Sequence, residues 1–441
     1  MLQLQNTVAL CDEIRNIMNQ NGFVQSCYSE ILDYTIELFE SHGLGNDYYG
    51  YHNIVHELEV TYVTLIAAQW ETLQSNFAKE DLAYLFVASL FHDYDPQKKV
   101  DKPHELDAVK FVLEDRKLLS LLKESGVDPN IVAALILRTI YPWKDELQQQ
   151  AEKNIEEYFA LSDITRDNPD KMEHYKKLGW FLSVADRIAG YALGDFPKAM
   201  EMAKKNAHAL AWHPFFLVRR AVAYFEDLLN NESEMCERIL RSLPKQMRKS
   251  FMDNVLSFMK LRQQEIQINA SFVYDSAKLV TRIEPLATRQ DDDFINSLFT
   301  IFEELPRPLQ FKKEQFAESV KDPRTIINTL RLENDKGPII GFAKGGPLEG
   351  YKLRAEARDE NHGLFNTVFL EQIAVKMGYW GQRGGREMRL LFSMQAHTKK
   401  YQYLTSFALR DVIENRIARD EKIKFVKQFD PERWDYYRIM L

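Results

Sequence analysis

Over roughly its first 268 residues the chain places apolar residues at three- and four-residue spacing and almost never alternates them. The runs DLAYLFVASLF, HELDAVKFVLEDRKLLSLLKE and HPFFLVRRAVAYFEDLLN carry this pattern, with Gly and Pro mostly between such runs. It commits this part of the chain to helices that bury one face against each other, an α-bundle. The character changes near Ala270. SFVYDSAKLVTRIEPLA is rich in β-branched and aromatic residues and reads as a strand leaving a linker. A helix (DDDFINSLFTIFEEL) and the strand-like TIINTLRLEN and IIGFAKGG follow. Then come NTVFLEQIAV, a Gly-rich loop, a helix (REMRLLFSMQAHTKKY), strand-like YLTSFAL, a helix (DVIENRIARDEK) and a final DYYRIML. The expected fold is multidomain, with an all-α bundle over residues 1–268 and a mixed α/β domain over 278–441.

Composition bounds the function. A chain of 441 residues exceeds one ordinary core, and 45% hydrophobic with 28% charged residues is globular. No run approaches the roughly 18 apolar residues of a membrane span. The N-terminal MLQLQNTVALCDEIRN lacks a basic segment followed by an apolar core and does not read as a signal peptide. Cys11, Cys27 and Cys236 are too few and too scattered for a disulfide framework, so a cytoplasmic location is expected. A net charge of −8 argues against a general nucleic-acid footprint, so an anionic substrate needs a local cluster or a metal.

One constellation carries chemistry. Tyr51-His52-Asn53-Ile54-Val55-His56 places histidines at i and i+4, which on a helix share a face. Further on, the apolar run LAYLFVASLF ends in His92-Asp93-Tyr94-Asp95-Pro96. A buried His-Asp pair needs partners, and a divalent cation such as Mn, Fe, Zn or Mg supplies them. Phosphate-ester hydrolysis uses such a cation to lower the pKa of water and neutralise phosphoryl oxygens, with a histidine protonating the leaving oxygen. His42, His174, His208 and His213 read as ordinary core or surface histidines, and Tyr141 and Trp143 as core aromatics.

These residues resemble the HD-domain metal-dependent phosphohydrolases, which order their ligands His, His-Asp, Asp. The YHNxxH and HDxD pair is similar to the cyclic-nucleotide phosphodiesterase branch, over about residues 45–215. The resemblance implies metal ligation by His56, His92 and Asp93, and protonation of the leaving group by His52. It requires a later Asp: Asp186, whose flanks read as continuous helix, is preferred over Asp163, which looks like a helix end. Glu105 is similar to a pocket carboxylate that holds water or a second metal. The further histidine that follows HDxD in the phosphodiesterases is missing, and no purine clamp is evident. A metal site is therefore better founded than cyclic-nucleotide specificity, and a nucleotidase acting on nucleoside phosphates stays open.

In the second half, the buried strand ending at Val375 runs into Lys376-Met377-Gly378-Tyr379-Trp380-Gly381-Gln382-Arg383-Gly384-Gly385-Arg386 and an amphipathic helix. A strand, a Gly-rich turn and a helix N-terminus make an anion site, to which Arg383 and Arg386 add fork-shaped donors. This order resembles the GNAT acyltransferases, whose loop cradles the pyrophosphate of acetyl-CoA or another acyl-CoA. Val375, Tyr379, Gly381, Gly385 and Asn415 fall at corresponding places, Asn415 as the Asn that starts the next helix, DYYRIML matches the closing strand, and Gln382, Arg383, Gly384 and Arg386 complete the candidate cofactor-binding set. Trp380 and Arg383 depart from the family's loop, and the Tyr that protonates the departing thiolate is missing from NRIARDEKIKF. Glu371 is the candidate base toward an acceptor amine. The expected partners are a small-molecule phosphate ester and acyl-CoA, with no nucleic acid and no membrane, and homo-oligomerisation is left open. The expected function is phosphate-ester hydrolysis joined to acyl-CoA binding and acyl transfer. The alternative is a sensor in which the GNAT-like domain, or both domains, bind without turnover.

Overall fold

The computed structural model describes residues 7–46, 48–97, 104–209, 214–419, 421–430 and 433–441. His213 and the first six residues, both read above, lie outside the described residues. The chain forms two compact units, residues 1–212 with 219–258 and residues 213–218 with 259–441. No helix among the described residues is long and apolar enough to cross a membrane.

The helices run α1 (Thr7–Gln20), α2 (Ser26–Ser41), α3 (Ile54–Leu73), α4 (Asp81–Phe91), α5 (Glu105–Glu114), α6 (Arg116–Ser125), α7 (Pro129–Leu137), α8 (Asp145–Leu161), α9 (Pro169–Ala192), α10 (Phe196–Ala209), α11 (Leu217–Asn231), α12 (Ser233–Ser242) and α13 (Lys245–Tyr274). Helices α3, α4, α7 and α9 pack on one another at the centre of the first unit. Every residue of α4 is buried, as are Ile131–Leu137 of α7. A helix apolar all round belongs inside a bundle, and the sequence makes these two apolar on every face. Local signals set the helix ends. Asp128 accepts the Asn130 N–H ahead of Pro129, and Gly126 closes α6 at φ 72°.

The strand expected from Ser271 begins later. Helix α13 continues to Tyr274, its long helix-forming stretch carrying Phe272 and Val273 with it, and the first strand is β1 (Leu279–Ile283). After it come α14 (Asp292–Phe302), α15 (Lys313–Lys321), β2 (Ile326–Leu332), β3 (Ile339–Pro347), β4 (Thr367–Val375), α16 (Gly384–Thr398), β5 (Tyr403–Leu409), α17 (Arg410–Ile417), β6 (Ile423–Lys427) and β7 (Trp434–Met440). Helix α15 was not foreseen. The helix expected through Lys422 stops at Ile417, because Ile423–Lys427 pair with β7 at the edge of the sheet.

The seven strands form one sheet in the order β1-β2-β3-β4-β5-β7-β6, antiparallel except where β4 meets β5. Helix α16 covers one face through Met388, Phe392 and Ala396 against Leu330, Ala343 and Leu370. Helices α14 and α15 cover the other through Leu298, Phe302 and Phe316 against Ile327 and Phe342.

Two irregularities of β4 shape the second unit. Lys344 pairs with Gln372 but Gly345 pairs with Leu370, so Glu371 bulges out unopposed. Gly345 permits this close approach, since a side chain there would meet the Phe369 carbonyl at 2.1 Å. On its other edge β4 pairs with β5 only at Thr367–Phe369, and the Ser406 hydroxyl donates to the Leu370 carbonyl (2.7 Å) where the two strands part.

Candidate functional site

Asn53 is the N-cap of α3, its side chain accepting the Val55 (3.0 Å) and His56 (3.1 Å) N–H groups. The expectation that His52 and His56 share a helix face is therefore corrected. His52 precedes the helix and His56 lies in its first turn. Helix α4 delivers His92 at its C-cap with Asp93 next, and α9 carries Asp186 among buried residues.

These four elements meet at one point. The His56 Nε2 lies 3.3 Å from both Asp93 Oδ2 and Asp186 Oδ1, and the His92 Nε2 lies 3.4 and 3.5 Å from the same oxygens. Two ligands each about 2.1 Å from a tetrahedral ion stand about 3.4 Å apart, so the spacing suits a first-row divalent cation. Both Nε2 atoms are buried and make no hydrogen bond, which leaves their lone pairs for such a cation. Asp186 is thus the aspartate brought to the cluster. Asp163 sits beyond α8, exposed and paired with Arg166 at 2.5 Å.

Electrostatics within the cluster follow from burial and mutual charge. Burial opposes a charged His56, but Asp186 and then Asp93 outweigh it and push its pKa up to about 10. His92 is likewise raised, with Glu57 and Asp93 overcoming burial. Burial would raise Asp93, yet His52 and His92 hold it well below the usual carboxylate range, and His56 and His92 do the same for Asp186. Protons on the imidazoles balance the carboxylates here, and loading a cation must displace them.

The surroundings add residues that sequence reasoning passed over. Glu57, fully buried, brings an oxygen to 2.8 Å from His92 Nδ1. One donor atom each of His56, Glu57, His92 and Asp93 falls within 4.8 Å of the others. Its place next to His56 in IVHELEV was the available signal. His104 is buried with its Nδ1 2.8 Å from Asp95, and its ring is 5.4 Å from that of His52. Glu105, expected as a pocket carboxylate, is the buried first residue of α5 directly after His104. The Tyr51 ring lies 4.4 Å from His56. Arg187, next to Asp186 in α9, is held between Tyr141 and Tyr224 at 4.7 Å from each.

The Gly-rich loop of the second unit leads from β4 into α16. Val375 ends the strand and its carbonyl accepts the Trp380 indole N–H (2.6 Å). Gly381 has φ 87° and lies against Phe215, and the Gln382 amide donates to Asn269. Arg383 takes the left-handed conformation at φ 63°, and Gly384, Gly385 and Arg386 open α16. The first N–H groups of a helix have no intrahelical acceptor, so the turn that opens α16 brings the N–H groups of Gly384 and Gly385 between two arginines. Tyr379 packs on the core beneath. Asn415 does not start α17 as expected. The helix begins at Arg410, and Asn415 is an exposed residue near its end.

Glu371, the candidate base, already has an amine partner. Lys344, with no exposed surface, donates to its carboxylate and to the Ser319 hydroxyl (2.8 Å), and the Tyr351 hydroxyl lies 3.3 Å from Glu371. Burial lowers the pKa of Lys344 against the pull of Glu371. Sequence reasoning missed Lys344, which looked like any polar residue of a strand.

No protein-family model matches the chain, and no curated protein does. Among solved structures, part of the chain is similar to the ribosomal-protein-alanine N-acetyltransferase from Brucella melitensis, with 15% identity, 37% of this chain and 98% of that chain covered, and a TM-score of 0.24. An N-acetyltransferase from Staphylococcus aureus is similar over 37% of this chain and 98% of its own, with 14% identity and a TM-score of 0.26.

Proposed function

We propose that residues 1–268 form an HD-type metal-dependent phosphohydrolase acting on a small phosphate ester, and that residues 278–441 form a GNAT-like acyl-CoA-binding domain. The observation that carries the first part is the convergence of His56, His92, Asp93 and Asp186 at 3.3–3.5 Å. These four side chains hold the cation, which when bound supplies Lewis acidity and lowers the pKa of water. His52 is the proton donor to the leaving oxygen. Its side chain is 16% exposed and its Nε2 stands 3.4 Å from Asp93 Oδ2, at the edge of the cluster. The Tyr51 ring meets His52 edge-on at 5.2 Å and lies tilted against His56 at 4.4 Å.

For the second domain, the parting of β4 and β5 beside the open turn of α16 supports an acyl-CoA cleft, its pyrophosphate facing Arg383, Gly384, Gly385 and Arg386. The contact of Lys344 with Glu371 favours binding without transfer, since a base already paired with a buried ammonium is a poor acceptor of another proton. That supports the sensor reading for this half of the chain.

The test is a panel of phosphomonoesters and phosphodiesters offered to metal-loaded protein. Hydrolysis of one class, stopped by a chelator and absent in Asp93→Ala, is expected. A metal-loaded protein inert toward both classes would remove the hydrolase reading. Titration with acetyl-CoA and with desulfo-CoA reports separately on the second domain.

A further inference from the structure

Glu57 stands apart from the residues used so far. It lies in the first turn of α3, one residue after His56, and has no exposed surface. Neither of its oxygens makes a hydrogen bond, a costly state for a carboxylate inside an apolar bundle. Its near polar neighbour is the Nδ1 of His92, at 2.8 Å. The N–H of that nitrogen is directed at the Ser89 carbonyl (3.0 Å), so the Ser89 backbone fixes the tautomer and leaves Nε2 for the cluster. Glu57 then acts on the ring by its charge. A carboxylate behind an imidazole raises the electron donation of the opposite nitrogen. The burial of Glu57 is compensated by positive charge at His92 or beyond it, carried by a proton on the ring or by a cation at its far nitrogen.

We propose that Glu57 is a positioning residue of the metal centre, the outer carboxylate whose charge, held against His92, strengthens cation binding at His56, His92, Asp93 and Asp186. This rests on the metal-site reading above. It makes the centre a set of three carboxylates and two imidazoles, with Glu57 outside the ligand ring.

The test is equilibrium dialysis of the full chain against Mn²⁺ and Zn²⁺, with no activity measured. Wild type, Glu57→Asp and Glu57→Gln are compared, and thermal unfolding of the metal-free proteins is followed in parallel. Affinity is expected to fall in the order wild type, Asp, Gln, with the Gln variant weaker by about 10–100-fold while still folded. A residue with a packing role alone would lower the unfolding temperature and leave the affinity of the folded protein unchanged. Wild-type affinity in whichever variant folds overturns the proposal, and loss of the fold in both variants overturns it too by assigning Glu57 to the core. A wild type that binds neither ion removes the metal-site reading itself, an outcome distinct from equal binding by all three proteins.

Discussion

The Nε2 of His56 and the Oδ1 of Asp186 stand 3.3 Å apart, joining the first turn of α3 to the far half of α9. The ring nitrogen is buried without a hydrogen bond, which suits it to a cation shared with Asp186. Asp186→Asn is therefore expected to lower bound metal severely, whereas Asp163→Asn, altering an exposed side chain paired with Arg166, leaves it at the wild-type level. Elemental analysis of the two variants decides. Equal loss in both would mean that the last ligand is misassigned.

On the proposed reading His52, whose Nε2 lies 3.4 Å from Asp93 Oδ2, donates a proton and is not a ligand. His52→Ala should keep its metal and lose about 10²–10⁴ in turnover, the usual worth of a general acid. The loss should be smaller for substrates with a good leaving group such as p-nitrophenolate, which needs no proton. Metal loss in this variant would place His52 among the ligands and contradict the division of roles within YHNxxH.

Lys344 and Glu371 form a buried pair in the second unit. Removing one partner strands the other, so Lys344→Ala should destabilise that unit by about 3 kcal/mol, while Lys344→Met combined with Glu371→Gln costs much less. Urea unfolding of the three proteins checks this. Equal destabilisation by the single and double changes would show that the pair is not coupled.

Glu71 provides a pH signature away from both sites. Arg238 donates twice to one of its oxygens (2.9 and 2.7 Å), and Asn76 and Ser242 complete the shell. Burial would raise this carboxyl, but these donors outweigh it and lower the pKa below the model-peptide value of 4.5. A depressed folded-state pKa gives stability that is fully present above the unfolded value and lost as pH falls through the folded one. Glu71→Gln is thus expected to be less stable than wild type by about 1–2 kcal/mol at pH 7, the difference shrinking below pH 4.5. Urea midpoints at pH 7, 5 and 3.5 measure it, and a pH-independent difference would contradict the account.

Much of this was readable from residue order. The switch of period near Ala270 separated helices from sheet, because a buried face repeats with the geometry of its element. An apolar helix ending in His92-Asp93 announced a polar group inside the core. What stayed hidden depends on distant packing. Nothing local distinguished Asp186 from Asp163 beyond helix continuity, and only the approach of α9 to α3 does so. Glu57 was masked by its neighbour His56, because helical spacing tells which residues share a face and not which face meets α4. Strand β6 was passed over, since Ile423–Lys427 become a strand only by pairing with β7. Lys344 gave no sign of burial, because the bulge that brings Glu371 to it is a property of two strands together.

The most direct test is the metal content of the protein purified without chelators, measured by elemental analysis on wild type and Asp93→Ala side by side. About one or two equivalents of a first-row divalent metal in the wild type, lost in the variant, is the result expected of the His56, His92, Asp93 and Asp186 cluster. A wild type without metal, even after incubation with Mn²⁺, Fe²⁺, Zn²⁺ and Mg²⁺, would contradict it.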